Sequence, residues 1–238
     1  MATRPIFIPT NPNLSSNHIN IDDLVKTQNV DFTWHTGLSI PDKQKSIASL
    51  HENAKKTDGI NNILEISTRS TEKIGVVLSA FNLKIKSAKG RNFSVESVYQ
   101  SSKVFSGNHG EIQYLDLLYK NPAEAKTDTR LKTSGNIVAF RTFGKKEKEW
   151  GINPISAYYN WIYLNALIQH PEYHEPLLKY HAFTDIEFNP KKSLNCQAYA
   201  AALFCSLYKN DLLREIMKTP QNFLLLYQKT NETLDLFN

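Results

Sequence analysis

Asn153-Pro154 opens a run in which nearly every side is apolar. Ile155, Tyr158, Tyr159, Ile162, Tyr163 and Ala166 recur at helical spacing as far as about Ile168, while Trp161 and Leu164 add apolar surface elsewhere. A helix of this kind is buried on most sides, so other elements must cover it. Asn195 to Tyr208, rich in Ala and Leu, reads the same way.

The remaining elements are short. Arg4–Pro9 (RPIFIP) is expected to be an edge strand, because Pro5 and Pro9 restrict its pairing. Val30–Trp34 alternates apolar and polar residues, as a half-buried strand does. Ile63–Ser67, Ile74–Phe81 and Ile137–Phe143 are β-rich, and Phe183–Phe188 alternates until Asn189-Pro190 stops it. Helices are expected over Asp42–Lys55, from Asn121-Pro122 onward, over Pro171–Tyr180, and in two terminal segments, Asp211–Lys218 and Pro220–Lys229. Asn11–Asn20, Gly107–Gly110 and the charged Gly144–Glu149 read as exposed loops, and the last residues as a frayed end. The expected class is α+β: a single, mainly helical domain with several short strands. Residues 1–60 are expected to be an elaboration packed on a main domain of residues 61–238.

One further helix carries chemistry. Ser94–Phe105 (SVESVYQSSKVF) has a helical period, with Val95, Val98, Ser102 and Phe105 on one face. Glu96, Gln100 and Lys103 fall on the neighbouring face, with Tyr99 between the two. An acid, an amide and an amine along one stripe suit a catalytic wall, since a desolvated amine beside an acid becomes nucleophilic. The same stripe suits an ordinary helix edge, with Ser94 as the N-cap and Glu96 in the first turn. Asp185 and Glu187, two apart in an expected strand, would point to the same side and could divide acid and base roles. They equally suit a solvated strand face. Lys191-Lys192 could hold phosphate or form a solvated loop. Trp34-His35 could stack on a base, although a core aromatic is the commoner role.

Several classes are excluded or unsupported. His170 and His174 are separated by Pro171, and there is no HExxH or third ligand, so no metal is expected. There is no phosphate loop, no GxGxxG and no GxSxG. Cys196 and Cys205, on opposite faces of one helix, cannot bridge to each other, which suits a reduced cytoplasmic compartment. The first residues lack the apolar core of a signal peptide, and no stretch approaches about 20 apolar residues, so no membrane span is expected. A net charge of +5 suits a phosphate-rich partner.

Ser79-Ala80-Phe81-Asn82-Leu83 followed by SVESVYQSSKVF resembles the signature of the NADAR superfamily, roughly S-N-F and then S-x-E-H-x-x-Q-x-x-K-F. Ser79, Phe81, Glu96, Gln100 and Lys103 match it; Ser97 stands where the family has histidine, and the WGxG segment of other members is absent after Glu187. Asn121–Lys126 (NPAEAK) and His170–Leu178 (HPEYHEPLL) resemble further family segments. Phe32–Gly37, Gln44–His51, Leu64–Thr68 and Ala182–Ala198 resemble the branch of antitoxins paired with DarT-type toxins that ADP-ribosylate DNA. The resemblance implies the NADAR fold, with residues 61–238 as the catalytic domain. It implies an N-glycosidase that removes ADP-ribose from guanine in DNA, single-stranded or flipped, with no cofactor and with a cognate toxin as a possible partner. Glu96, Lys103 and Gln100 would be catalytic, and Ser79, Phe81, Asn82, Asp185, Glu187 and Trp34 would contact substrate. A toxin-binding protein without catalysis, and a glycosidase of phosphorylated small nucleotides, are the alternatives.

Overall fold

Ser39 caps a helix whose apolar side is Ile47, Leu50 and Ala54, and that side covers a sheet. The computed structural model describes residues 1–12, 19–107, 110–145, 149–190 and 195–228. Parts of the expected loops at Asn11–Asn20, Gly107–Gly110 and Gly144–Glu149, the Lys191-Lys192 pair, and the expected frayed end lie outside the described residues.

The chain begins with β1 (Ala2–Pro9), α1 (Ile21–Leu24), β2 (Val25–Phe32), α2 (Ile40–Ala54), β3 (Ile63–Glu65) and α3 (Lys73–Val77). Its middle holds β4 (Lys84–Lys86), β5 (Asn92–Ser94), α4 (Val95–Ser102), β6 (Lys103–Gly107), β7 (Gly110–Gln113), α5 (Pro122–Thr127), α6 (Arg130–Thr133), β8 (Ile137–Arg141) and β9 (Glu149–Trp150). It ends with α7 (Ile155–Ile168), α8 (His174–Leu178), β10 (Ala182–Thr184), α9 (Gln197–Lys209), α10 (Leu213–Ile216) and α11 (Pro220–Leu225). The architecture is α+β with three small sheets, ordered β2-β1-β10-β3, β4-β5 and β7-β6-β8-β9.

The first sheet is apolar on both faces. Phe7, Phe183 and Leu64 share one register and enter the main core with α7 and α9. Ala182 and Ile63 share the next and enter a smaller core with Ile6, Val30, Phe32 and the apolar side of α2. β1 therefore lies inside the sheet, not at its edge. It pairs with β2 along its whole length but with β10 only at Phe7, between the two prolines that cannot donate. α7 is buried on most sides, and its tyrosines find partners: Tyr158 donates to Ser102 Oγ at 2.6 Å and Tyr163 to the Leu78 carbonyl at 2.7 Å.

Ile74–Phe81 and the Ser94 helix also differ from the sequence expectation. Ile74–Phe81 is not a strand: it begins as α3 and continues into a tight turn. Gly75 on α3 lies against β3 so closely that an added Cβ would sit 2.0 Å from the Glu65 carbonyl oxygen. That approach selects a compact helical turn there over an extended run. The Ser94 helix stops at Ser102, where Lys103 turns extended and pairs with Phe140 of β8. The hydroxyls of Ser101 and Ser102 fold back onto the Val98 carbonyl, and sheet pairing outweighs the helical period of Val104 and Phe105.

Gly75→Ala is expected to destabilise the protein by about 1–3 kcal/mol, because the neighbour it meets is backbone rather than a flexible tip. A urea midpoint equal to that of the wild type would contradict this reading of the contact.

Candidate active site

The turn after α3 is tied off internally. Ser79 Oγ and Asn82 Nδ2 both donate to the Val76 carbonyl, at 2.7 and 2.9 Å. Its carbonyls then receive the first N–H groups of α4: Val95 N donates to Leu83 O at 3.0 Å and Glu96 N to Ala80 O at 2.9 Å. Ser94 Oγ accepts from Ser97 N and completes the cap. From α9, Gln197 Oε1 accepts the Ala80 N–H at 2.7 Å. The turn, the start of α4 and the start of α9 are thereby held as one unit.

A cavity of about 400 Å³ opens beside this unit. Glu96 and Gln100 form one wall, with Ser79 and Phe81 from the turn. Asp185, Glu187 and Phe188, from the turn after β10, line it as well. Ser67 and Thr68 follow β3, while Tyr99, Tyr159, Lys126, Asn189, Asn195 and Gln197 complete the lining. Glu96 is only 5% exposed, and its Oε1 accepts a 2.6 Å hydrogen bond from Gln100 Nε2. Gln100 Oε1 is buried without a hydrogen-bond partner. On a cavity wall, that atom is an acceptor left for a ligand donor.

Lys103 is not on the wall. Its ammonium lies 4.9 Å from the centre of the Tyr99 ring, within electrostatic reach of Glu96. Burial lowers its pKa to about 8, against the opposing pull of Glu96. Asp185 is shifted the other way, to about 8, by burial and then by the buried charge of Glu65. Glu187 is half-exposed and pairs with Lys43 at 3.6 Å and Arg69 at 3.7 Å. Lys126 Nζ sits 5.3 Å from the centre of the Phe81 ring. Tyr99 and Tyr159 are pushed up by burial and stay neutral, so they act as packing and hydrogen-bonding surfaces. The Tyr99 hydroxyl accepts from Asn195 Nδ2 at 2.5 Å.

Of the residues singled out by sequence, Glu96, Gln100, Ser79, Phe81, Asp185 and Glu187 meet in this cavity. Asp185 and Glu187 are not on a strand, because β10 ends at Thr184; the turn presents both to the cavity. Asn82 is exposed and closes the turn instead of lining the cavity. Trp34 lies off the cavity, against Phe32, with Lys43 4.6 Å and Arg4 5.5 Å from its ring centre. Its link to the site is Lys43, which also reaches Glu187. Tyr159, Lys126, Asn195 and Gln197 had no chemical signal of their own in the sequence; each is an ordinary helix or helix-start residue until the fold gathers it. Among the described residues no group of His, Cys, Asp and Glu could hold a metal ion, and no helix is long and apolar enough to cross a membrane.

The fold and site define an α+β protein with a carboxylate- and amide-lined cavity between its helices and the end of a small sheet. Within that class the chain belongs to the NADAR-DarT1 family, the DarT1-associated NADAR antitoxins, whose model matches residues 2–235. No curated protein matches it.

Gln100→Leu removes the donor to Glu96 Oε1 and leaves that acceptor buried. The expected loss is about 1–3 kcal/mol of stability, measured by chemical unfolding. A stability unchanged from the wild type would mean that water replaces the amide.

Proposed function

We propose that this protein removes ADP-ribose from guanine bases in DNA by cleaving the N-glycosidic bond, and so reverses a DarT-type toxin. The observation that carries the reading is the buried Glu96–Gln100 pair on a cavity wall, with Lys103 in electrostatic reach of Glu96, in a chain of the DarT1-associated NADAR antitoxin family. A cavity of about 400 Å³ lies within the range of small-ligand clefts. Cleavage builds positive charge on the ribose carbon, as glycoside hydrolysis does, and a carboxylate in a low-dielectric site stabilises that charge strongly. Glu96 takes this role. Gln100 holds Glu96 with its amide N–H and offers its free carbonyl to a substrate donor. Lys103 is the amine of the site: with a pKa of about 8, roughly a tenth of it is neutral at pH 7. A neutral amine can attack the opened ribose and form a Schiff base that water then hydrolyses.

Phe81, Tyr99, Tyr159 and Phe188 supply flat apolar surface for a nucleobase, and Lys126 supplies a charge for phosphate. Guanine modified on its exocyclic amine cannot pair normally, so the substrate form is unpaired or flipped. The net charge of +5 favours the DNA backbone.

With an oligonucleotide carrying ADP-ribosylated guanine, Glu96→Gln is expected to lower the rate of release at least about 100-fold. Undiminished release removes Glu96 from the mechanism. Protection of cells by the Glu96→Gln protein, together with a stable toxin complex, would favour an antitoxin that works by binding. Release of ADP-ribose or base only from free nucleotides would favour a small-molecule glycosidase. Borohydride is expected to trap the wild-type protein on its substrate, whereas Lys103→Arg should give no adduct; a trapped Lys103→Arg would assign the amine elsewhere.

A further inference from the structure

We propose that Asp185 is the acid that protonates the departing guanine. Glu65, a buried carboxylate outside the cavity lining, is the positioning residue that keeps Asp185 in its acid form. This rests on the glycosidase reading above.

Glu65 ends β3 beside its register partner Thr184 on β10, and Asp185 is the next residue. Every group shown bonding to the Glu65 carboxylate donates to it. Thr184 Oγ1 reaches Oε2 at 2.6 Å, Ile186 N reaches Oε1 at 2.8 Å, and the Ser67 hydroxyl donates as well. The Thr184 hydroxyl has one proton, and Glu65 takes it. His51 Nε2, 2.8 Å from the same oxygen, must therefore be the N–H end of a neutral imidazole. Burial, and then Lys55, holds His51 down at about 4, so it remains neutral. Burial raises the Glu65 carboxyl above its usual range, and these donors oppose that rise by stabilising its anion.

Asp185 has the weaker set of donors. Its Oδ1 accepts from Glu187 N at 3.1 Å, and the Gln197 side chain also bonds to it. The buried charge of Glu65 disfavours ionisation of Asp185, so of the two carboxyls one tends to keep its proton. Glu65 has the fuller set of hydrogen-bond donors, so the proton settles on Asp185, which faces the cavity. Other ionisable groups face Asp185 from each side. Lys126 on α5 favours its anion, while Cys196 before α9, Tyr159 and Tyr163 on α7 and Glu187 in its own turn bring no positive charge. Glu96 on α4 lines the same cavity and is a further acid.

The step balances with water as co-reactant. When the C1″–N bond breaks, its electron pair goes to the guanine nitrogen, which takes the Asp185 proton. The hydroxyl of water ends on C1″, and the remaining proton returns to Asp185. Two carboxylates thereby hold different duties, one as acid and one as fixed charge, as in other sites where environments separate like groups.

The test is the pH profile of Glu65→Gln with the ADP-ribosyl-guanine oligonucleotide. Asp185 must be protonated and Lys103 neutral, so wild-type kcat peaks near pH 8 and falls on the alkaline side as Asp185 ionises. Removing the Glu65 charge lowers the point at which Asp185 ionises. The alkaline limb is expected to move down by about one pH unit, with about a tenfold loss above pH 8 and the acid limb in place. Asp185→Asn should lose activity at every pH, and adding Glu65→Gln to it should change nothing further. A folded Glu65→Gln protein with a wild-type alkaline limb overturns the proposal, as does an active Asp185→Asn. An infrared difference spectrum of wild type against Asp185→Asn reads the pair without turnover and without folded Glu65→Gln. A protonated-carboxyl band persisting at pH 7 supports the proposal, and its absence overturns it. If that band is present but the oligonucleotide is not cleaved, the glycosidase reading has failed and the one-proton pair stands.

Discussion

Two backbone N–H groups decide where this site is. The first turn of a helix leaves its N–H groups without intrahelical partners, and those of Val95 and Glu96 are taken up by the carbonyls of Leu83 and Ala80. That pairing joins the turn carrying Ser79 and Phe81 to the helix carrying Glu96 and Gln100. The anchor is deep. Tyr163 from α7 holds the Leu78 carbonyl, and Gln197 from α9 holds the Ala80 N–H, so the buried helices fix the turn from beneath. A glycine at position 75 lets α3 approach β3 and deliver the chain to that turn. The cavity is the space left between this unit and the turn that follows β10.

Within that space three acids meet three different surroundings. Glu96 is buried with an amide donor from Gln100. Glu187 is half-exposed and shares Lys43 and Arg69. Asp185 is buried next to Glu65 and is lifted to about 8. A low-dielectric site enlarges such differences, because each missing donor or neighbouring charge is poorly screened. Identical chemical groups can therefore hold separate roles within one cavity.

Glu96 and Gln100 were legible as a pair from helical spacing alone, since residues four apart on a helix face each other. Helical spacing puts Lys103 on the same stripe, but the helix ends at Ser102, and Lys103 comes near Glu96 from a strand. The error arises because Val104 and Phe105 suit either a helix face or a strand, and only the partner strands β7 and β8 choose between them. Ile74–Phe81 misled in the same way, its β-rich composition outweighed by a close approach to β3. Asp185 and Glu187 were paired on a strand face, yet a turn presents them to the cavity. Trp34 was reached through its aromatic chemistry, and it packs on Phe32 outside the cavity.

The sequence by itself determined the α+β class, the two helices buried on most sides, the capped start of α4 and the family signature that runs through Ser79, Phe81, Glu96, Gln100 and Lys103. These depend on local spacing, local capping and residue type, which are written along the chain. Tertiary structure decided which of these side chains share one cavity, that Asn195, Gln197 and Lys126 join them, and which carboxyl burial and a neighbouring acid raise. The physical reason is that desolvation and neighbouring charge act through space. Glu65 and Asp185 are distant in sequence and adjacent only because β3 and β10 pair in parallel.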